Sequence, residues 1–259
     1  MIIVSEVHDI STPSGPMRTY LYRPAEGGPY PGILFFSEIF QHTGPIQRLG
    51  AFLAGNGYVV AVPEIFHELN PVGTVLPYDQ AGADKGNADK VTKTLKAYDD
   101  DAGAIVDFLL REQRTSGSLG ALGICIGGHL SFRAAFRPEI RAAACFYATD
   151  IHKRSLGAGM QDDSLDRLGE IDGELLMVWG RQDPHIPLEG RRLIYDTLTA
   201  AETVFTWHEF NAQHAFLRDE GPRYDPELVQ LCYHLLLSFF HRRLSTGVRN
   251  SKSLYVDKL

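Results

Sequence analysis

Short apolar runs separated by polar segments divide this chain into alternating strands and helices. Uninterrupted apolar runs predict strands covered on both faces, at residues 32–37, 58–62, 118–124, 141–147 and 174–180, with further strands at 17–23 and 204–210. Apolar residues spaced three and four apart predict helices at residues 45–54, 88–111, 188–200 and 226–242, and a helix-compatible run covers 130–136. This alternation indicates an α/β fold with a mostly parallel sheet and helices on both faces.

Two segments interrupt the alternation. Residues 63–86 are rich in proline and glycine, which predicts a long loop, and a loop of this length is more often functional than idle. Residues 149–172 are polar and could form an excursion over a ligand site at the carboxyl ends of the strands. The sequence leaves open whether that segment closes as a lid. We expect one domain over residues 1–259, with a loose polar tail from about Ser245.

Composition and charge narrow the class of protein. The net charge is −7 and the basic residues are scattered, so neither a nucleic acid nor a membrane is an expected partner. The three cysteines are too far apart for a disulfide framework or a paired-cysteine zinc site, which indicates a reducing compartment. Early charged residues and the absence of a long apolar run argue against a signal peptide or membrane span. We expect a cytoplasmic monomer or small homo-oligomer.

A glycine-flanked cysteine lies near the middle of the chain, where a predicted strand turns into a helix. Cys125 has Gly123 two residues before it and Gly127 two residues after it. Such a turn holds a nucleophile in a strained backbone conformation that leaves no room for flanking side chains. A cysteine at this place also lies at the positive end of a helix dipole, which favours the thiolate.

Other interpretations of this cysteine are a small buried core residue or a phosphate-binding turn. Free cysteines are among the most buried residues, so a lone cysteine is usually part of the core. The spacing of Gly123, Gly127 and Gly128 does not match a dinucleotide-binding fingerprint, and no Gly-Lys-Ser/Thr follows. We therefore favour the nucleophile over phosphate binding.

A cysteine nucleophile needs a base and a group that orients the base. Asp183 follows the predicted strand at 174–180, and His214 follows the predicted strand at 204–210. Taken alone, Asp183 could cap the next helix and His214 could be an ordinary polar residue of a surface loop. Together with Cys125 they occur in the order nucleophile, acid, histidine, each after a strand, which is the chain order of α/β-hydrolases.

The remaining histidines do not form a second site. His129 either faces outward or packs in the first turn of the elbow helix. The others lack a partner ligand at the spacing of a helical metal site, and no His-Glu-x-x-His motif occurs. We expect neither a metal nor an organic cofactor.

The motifs around Cys125, Asp183 and His214 resemble those of the dienelactone hydrolase (carboxymethylenebutenolidase) family of α/β-hydrolases. Residues 37–40 and 62–66 are similar to that family too, and the resemblance extends from about residue 16 to 242. It implies an α/β-hydrolase fold with a mostly parallel central sheet and helices on both faces.

The resemblance also implies roles for residues around the nucleophile. Glu38 would hold the resting thiol of Cys125 and help to deprotonate it when substrate binds. The backbone N–H groups of Ile39 and Ile126 would form an oxyanion hole, in which each donor typically contributes roughly 3 kcal/mol.

Arg218, four residues after His214, matches a family position that binds a substrate carboxylate. The family's second arginine has no clear match in this chain. Phe40, Tyr78 and Tyr147 are candidates for the walls of the pocket.

These observations predict a cofactor-independent hydrolase of small lactones or activated esters, with an anionic substrate as one possibility. One alternative is a non-catalytic α/β-hydrolase scaffold that binds a small ligand or a protein. Another is a thiol redox sensor built on Cys125, although Cys145 in a predicted core strand is a poor resolving cysteine.

Overall fold

A computed structural model of the protein describes residues 1–245, and the tail expected beyond Ser245 lies outside the described residues. The strands are β1 (Ile3–Thr12), β2 (Gly15–Pro24), β3 (Tyr30–Phe36), β4 (Val59–Pro63), β5 (Thr115–Ile124), β6 (Ile140–Phe146), β7 (Glu174–Gly180) and β8 (Phe205–Phe210). The α-helices are α1 (Gly44–Gly55), α2 (Gln80–Thr92), α3 (Leu95–Arg111), α4 (Ile126–Ala134), α5 (Leu188–Ala200) and α6 (Pro226–Leu244).

The strands form a single eight-stranded sheet in the order β1-β2-β4-β3-β5-β6-β7-β8. The pairings of β1 with β2 and of β2 with β4 are antiparallel, and the remaining five are parallel. The predicted mostly parallel sheet is therefore confirmed. Its parallel strands place their carboxyl ends at one edge, where the ligands of such sheets bind.

Helices cover both faces of the sheet, as the sequence predicted. A Cβ atom on Gly32 of β3 would lie 3.5 Å from Leu109 of α3, and one on Gly120 of β5 would lie 3.0 Å from Leu244 of α6. Gly32 pairs with Leu119, the residue beside Gly120, so the two glycines face opposite sides. Helices α3 and α6 thus pack on opposite faces of the sheet.

The sequence missed β1. Residues 3–12 alternate between exposed and partly buried positions, and the strand pairs with β2 on one side only. An edge strand of an antiparallel hairpin needs no continuous apolar run, so it lacks the pattern that identified the inner strands.

The prediction of one helix over 88–111 and of a loop over 63–86 was wrong. Helix α2 begins at Gln80 and ends at Thr92, and a separate helix α3 begins at Leu95. Lys93 is extended, and the side chain of Thr94 accepts a hydrogen bond from the backbone N–H of Ala97 at 3.1 Å. This cap begins a new helix, but the spacing of the apolar residues continues across it. The spacing alone therefore predicted one helix instead of two.

The core is continuous across the sheet and is built from the inner strands and the helix faces against them. The predicted strand and helix at 174–180 and 188–200 match β7 and α5. No helix within residues 1–245 is both long enough and apolar enough to cross a membrane.

Candidate active site

Cys125 lies between the end of β5 and the start of α4, with the unusual backbone angles φ 60° and ψ −125°. A Cβ atom on Gly123 would overlap the carbonyl oxygen of Gly127, and one on Gly127 would overlap the carbonyl oxygen of Phe36. Only glycine fits at either position. The strained turn that the sequence predicted is thus enforced by close backbone packing.

Hydrogen bonds to the next strand fix the backbone of Cys125. Its N–H donates to the carbonyl oxygen of Phe146 at 3.1 Å, and its own carbonyl oxygen accepts from Gly128 at 3.0 Å and from Thr149 at 3.3 Å. The side chain is partly exposed, whereas Cys145 and Cys232 are buried. Cys125 is the accessible thiol among the three, and it lies at the amino end of α4.

His214 and Asp183 are joined by a hydrogen bond of 2.6 Å between Nδ1 and Oδ2. The other oxygen of Asp183 accepts from the backbone N–H of His185 at 2.8 Å. Burial opposes a charged imidazole, but the Cys125 sulfur and the hydrogen bond to Asp183 outweigh it and raise the pKa of His214 to about 10. Both Cys125 and Asp183 therefore act on the imidazole of His214.

Glu38 is 2% exposed, and neither of its carboxylate oxygens has a hydrogen-bond partner among the described residues. Its closest cation is Arg218, whose Nη1 lies 3.9 Å from Oε2. Burial raises the pKa of this carboxyl, and the charges of Arg218 and His214 oppose the rise. Glu38 therefore lies beside the site with Arg218 as its ionic partner, and within the described residues it does not hydrogen-bond Cys125.

The two expected oxyanion donors follow the neighbouring strands β3 and β5. Ile126 is the first residue of α4, and its N–H belongs to the helix turn that has no internal acceptor. Ile39 follows β3, and a Cβ atom on Gly86 of α2 would lie 2.8 Å from its Cβ and its carbonyl oxygen. The helix that the sequence missed thus packs directly against the Ile39 loop.

Three of the expected substrate-binding residues form one cluster. The guanidinium of Arg218 lies 4.2 Å from the ring centroid of Tyr78 and 5.9 Å from that of Phe40. The two aromatic rings are 4.7 Å apart in an edge arrangement, and the Tyr78 hydroxyl is 2.7 Å from the Thr43 hydroxyl. Arg218 is thus held flat over two rings beside Glu38.

Tyr147 packs against His214. Its ring packs edge-on against His214 at 5.1 Å and against Phe216 at 5.2 Å. The residue is fully buried, and its hydroxyl has no hydrogen-bond partner among the described residues. Burial, together with the charge of Glu38, raises the pKa of this phenol well above its usual value. The ring supports His214, and the hydroxyl lies near Glu38.

Sequence reasoning missed His185 and Arg223. The ring of His185 packs 4.7 Å from that of His214, and the charge of Arg223 lowers the pKa of both Glu38 and His185. The position of His185, two residues after Asp183 in the chain, could have indicated that it lies near the site. Arg223 carried no such signal, because only the folded loop before α6 brings it to the site.

Residues 149–172 contain no α-helix or strand and have one 3₁₀ turn, Leu168–Glu170. Two residues of α4 contact this segment. Arg133 donates a hydrogen bond to Asp162 at 2.8 Å, and His129 lies 3.2 Å from the same carboxylate. His129 is fully buried, so of its two predicted positions, packing in the elbow helix is confirmed and facing outward is wrong.

One group of side chains within residues 1–245 has the geometry of metal ligands, formed by His67, Glu68 and Asp101. The ammonium of Lys93 lies 2.7 Å from Glu68 and 2.5 Å from Asp101. Lys93 is fully buried there and supplies the positive charge that the two carboxylates require. The group is therefore explained as an internal ion-pair network.

The chain is similar to known proteins of one family. The model of the dienelactone hydrolase family matches residues 17–244. A "putative carboxymethylenebutenolidase" of Saccharomyces cerevisiae is 40% identical, over 94% of this chain and 93% of the relative. The carboxymethylenebutenolidase of Pseudomonas putida is 24% identical, over 82% of this chain and 85% of that protein.

A solved structure has the same fold. The crystal structure of a "putative dienelactone hydrolase" from Klebsiella pneumoniae subsp. pneumoniae superposes with a TM-score of 0.82 at 22% identity, covering 93% of this chain and all of the other.

Proposed function

The chain belongs to the dienelactone hydrolase family of lactone and ester hydrolases, and we propose that it acts through an acyl-enzyme formed on Cys125. In this proposal Asp183 orients His214, and His214 moves the proton. The observation that carries it is the buried imidazole of His214, which is hydrogen-bonded to Asp183 at Nδ1 and lies close enough to Cys125 for the thiol to raise its pKa. A histidine oriented by a carboxylate and close to an accessible thiol is the arrangement that activates a nucleophile.

The reaction proceeds in two halves. The Cys125 thiol passes its proton to His214, directly or by way of Glu38, and the sulfur attacks the carbonyl carbon. The oxyanion accepts hydrogen bonds from the N–H groups of Ile39 and Ile126, and the C–O bond breaks as His214 gives that proton to the leaving oxygen. Water then attacks the thioester, giving its proton to His214, and the S–C bond breaks to release the acid. Side chains and backbone of this chain carry every step, so the scheme uses no cofactor.

Glu38 is proposed as the second base of the site. Its carboxyl is buried without a hydrogen bond, which raises its pKa and its affinity for a proton. A carboxylate in this state can take the thiol proton when substrate arrives and perturbs its surroundings. Until then the thiol can remain neutral, which protects it from oxidation.

The proposed substrate is a small ester or lactone, and an anionic one suits Arg218. That guanidinium lies over Tyr78 and Phe40, next to Glu38, where it could bind a substrate carboxylate with two hydrogen bonds. Related proteins named carboxymethylenebutenolidases fit this class of substrate. Cytoplasmic location and a monomeric or small homo-oligomeric state complete the proposal.

The two rival functions have less support. A non-catalytic scaffold has no need of the buried imidazole between Asp183 and Cys125. A redox sensor needs a resolving thiol, but Cys145 and Cys232 are buried.

Replacement of the nucleophile tests the proposal. We expect Cys125→Ala to lower kcat/KM for p-nitrophenyl acetate and an enol-lactone by about 10³-fold or more, since the acyl-enzyme cannot form. The matched control is Cys232→Ala, which removes a buried thiol on α6 and should keep its activity. Mass spectrometry of the acyl adduct locates the modified residue. Undiminished activity of Cys125→Ala contradicts the proposal.

The role of Glu38 is tested by Glu38→Gln. We expect the pre-steady-state acylation rate to fall about 10- to 100-fold with little change in Tm, because the substitution removes a base and no hydrogen bond. The control is Glu64→Gln at the end of the neighbouring strand, where the carboxylate accepts from Tyr20 at 2.9 Å. That substitution should change stability and leave acylation alone. Equal acylation rates in Glu38→Gln and the unmodified protein would exclude the second base.

A further inference from the structure

His185 lies on the turn that carries Asp183, directly after β7. Its backbone N–H donates to Oδ1 of Asp183 at 2.8 Å, while its side chain is exposed at the surface of the site. The same hydrogen bond therefore fixes the acid of the triad and the position of the second histidine.

The imidazole of His185 packs on the catalytic ring. The centroids of His185 and His214 are 4.7 Å apart, with 68° between the ring planes. Because Asp183 holds both the His185 backbone and Nδ1 of His214, the two rings are positioned relative to each other by one carboxylate.

The ring nitrogens of His185 have no hydrogen-bond partner within residues 1–245, unlike those of several buried histidines. His42 bonds the Tyr22 hydroxyl at 2.8 Å, and His129 bonds the Ser164 hydroxyl at 2.9 Å. An exposed imidazole on the rim of a site, with both nitrogens free, is available to a ligand.

Four titratable or charged groups act on His185: His214, Asp183, Arg223 and Asp150. Burial of its packed face lowers the pKa of His185, and the charges of His214 and Arg223 add to this effect. The ring is therefore neutral at neutral pH, with one nitrogen as donor and the other as acceptor.

We propose that the N–H of His185 donates a hydrogen bond to the leaving-group oxygen of the ester or lactone during acylation. The inference rests on the proposed function of Cys125. As the S–C bond forms and the C–O bond breaks, negative charge develops on the departing oxygen, and His214 delivers its proton there. That oxygen must approach the His214 ring, against which His185 packs. His185 keeps its own proton throughout and stabilises the charge.

The predicted consequence is a selective effect on poor leaving groups. Alkoxides develop more charge than a p-nitrophenolate, so they gain more from a donor. We expect His185→Phe, which retains an aromatic ring beside His214, to lower kcat/KM for alkyl esters about tenfold, and for the p-nitrophenyl ester of the same acid less than twofold.

His185→Gln is the matched variant, because it retains an N–H donor and loses the ring. The measurement is the slope of log kcat/KM against leaving-group pKa for esters of one acid, in the unmodified protein and both variants. The inference predicts a steeper slope for His185→Phe and a slope near that of the unmodified protein for His185→Gln. An unchanged slope in His185→Phe, or an equal loss on all esters in both variants, overturns it.

The two proposals fail in different ways. If Cys125→Ala retains activity, the acyl-enzyme itself is wrong. If Cys125→Ala is inactive while the slope of His185→Phe is unchanged, the acyl-enzyme stands and only the role of His185 is wrong. Since His185 is exposed, both of its variants should fold, and their Tm values check this.

Discussion

The buried pairs His214–Asp183 and His129–Asp162 differ in their surroundings. His214 and Asp183 meet at 2.6 Å at the carboxyl edge of the sheet. His129, on α4 itself, lies 3.2 Å from Asp162 in the segment 149–172. The pairs contain the same chemical groups, but their surroundings differ.

The first difference is what lies around each pair. His214 has Cys125 beside it, whereas Nδ1 of His129 has no partner among the described residues. Asp183 accepts a backbone N–H, but Asp162 also accepts from Arg133 at 2.8 Å. One carboxylate therefore acts on a histidine next to a thiol, and the other is part of an ion-pair network.

The second difference is access. Cys125 is partly exposed beside His214, while the side chains of His129 and Asp162 are fully buried. A buried pair without a nucleophile can only stabilise the fold, since no substrate reaches it. The comparison teaches that a histidine–aspartate pair is made catalytic by its third group and by access.

The largest expected difference between the two pairs is seen when their histidines are replaced. We expect His214→Gln to lower kcat/KM for p-nitrophenyl acetate by about 10³-fold, because the proposed general base is lost. His129→Gln should instead lower the free energy of unfolding and leave kcat/KM of the folded protein nearly unchanged. Steady-state kinetics and urea unfolding measure both. A similar profile for the two variants would mean that the pairs are not functionally distinct.

A smaller effect is expected at the structural carboxylate. Asp162→Asn should lower the free energy of unfolding by about 2 kcal/mol, because it weakens the charge-assisted hydrogen bond to buried Arg133 and removes the negative charge that faces His129. Urea unfolding at pH 7 measures this loss. Asp163→Asn is the control, since its carboxylate is about half exposed and should contribute less.

The stability difference between the unmodified protein and Asp162→Asn should depend on pH. Burial opposes ionisation, but the nearby His129, the hydroxyl of Ser164 and the charge of Arg133 outweigh it and lower the pKa of Asp162 to about 2, from 3.8. The stabilisation is therefore complete above about pH 4 and is lost as the pH falls towards 2. The stability difference between the unmodified protein and Asp162→Asn should shrink across that window. A constant difference would show that ionisation of Asp162 contributes nothing.

The sequence predicted the alternating fold because inner parallel strands must be apolar on both faces, as β3 and β7 are. The prediction failed at β1, because the solvent-facing positions of this strand interrupt the apolar run that identified the inner strands. It also failed at Thr94, where a helix cap separates two helices whose apolar positions keep the same spacing. The sequence indicated Cys125 because the glycine motif is local. The roles of Glu38 and His214 came only from resemblance and chain order, since neither has a distinctive neighbourhood in the chain.

The sequence by itself determined the elbow, since Gly123 and Gly127 are needed wherever backbone packs this closely around a turn. Tertiary structure decided which polar residues became partners. Arg223 acts on Glu38 from a distant loop, and His185 rests on His214. Likewise, Lys93 is enclosed by Glu68 and Asp101. The two glycines can be recognised in the sequence because the motif places each of them two residues from Cys125, even though the atom that Gly127 would overlap belongs to Phe36 on another strand. Charge and burial leave no such local pattern, because they depend on the packing of segments far apart in the chain.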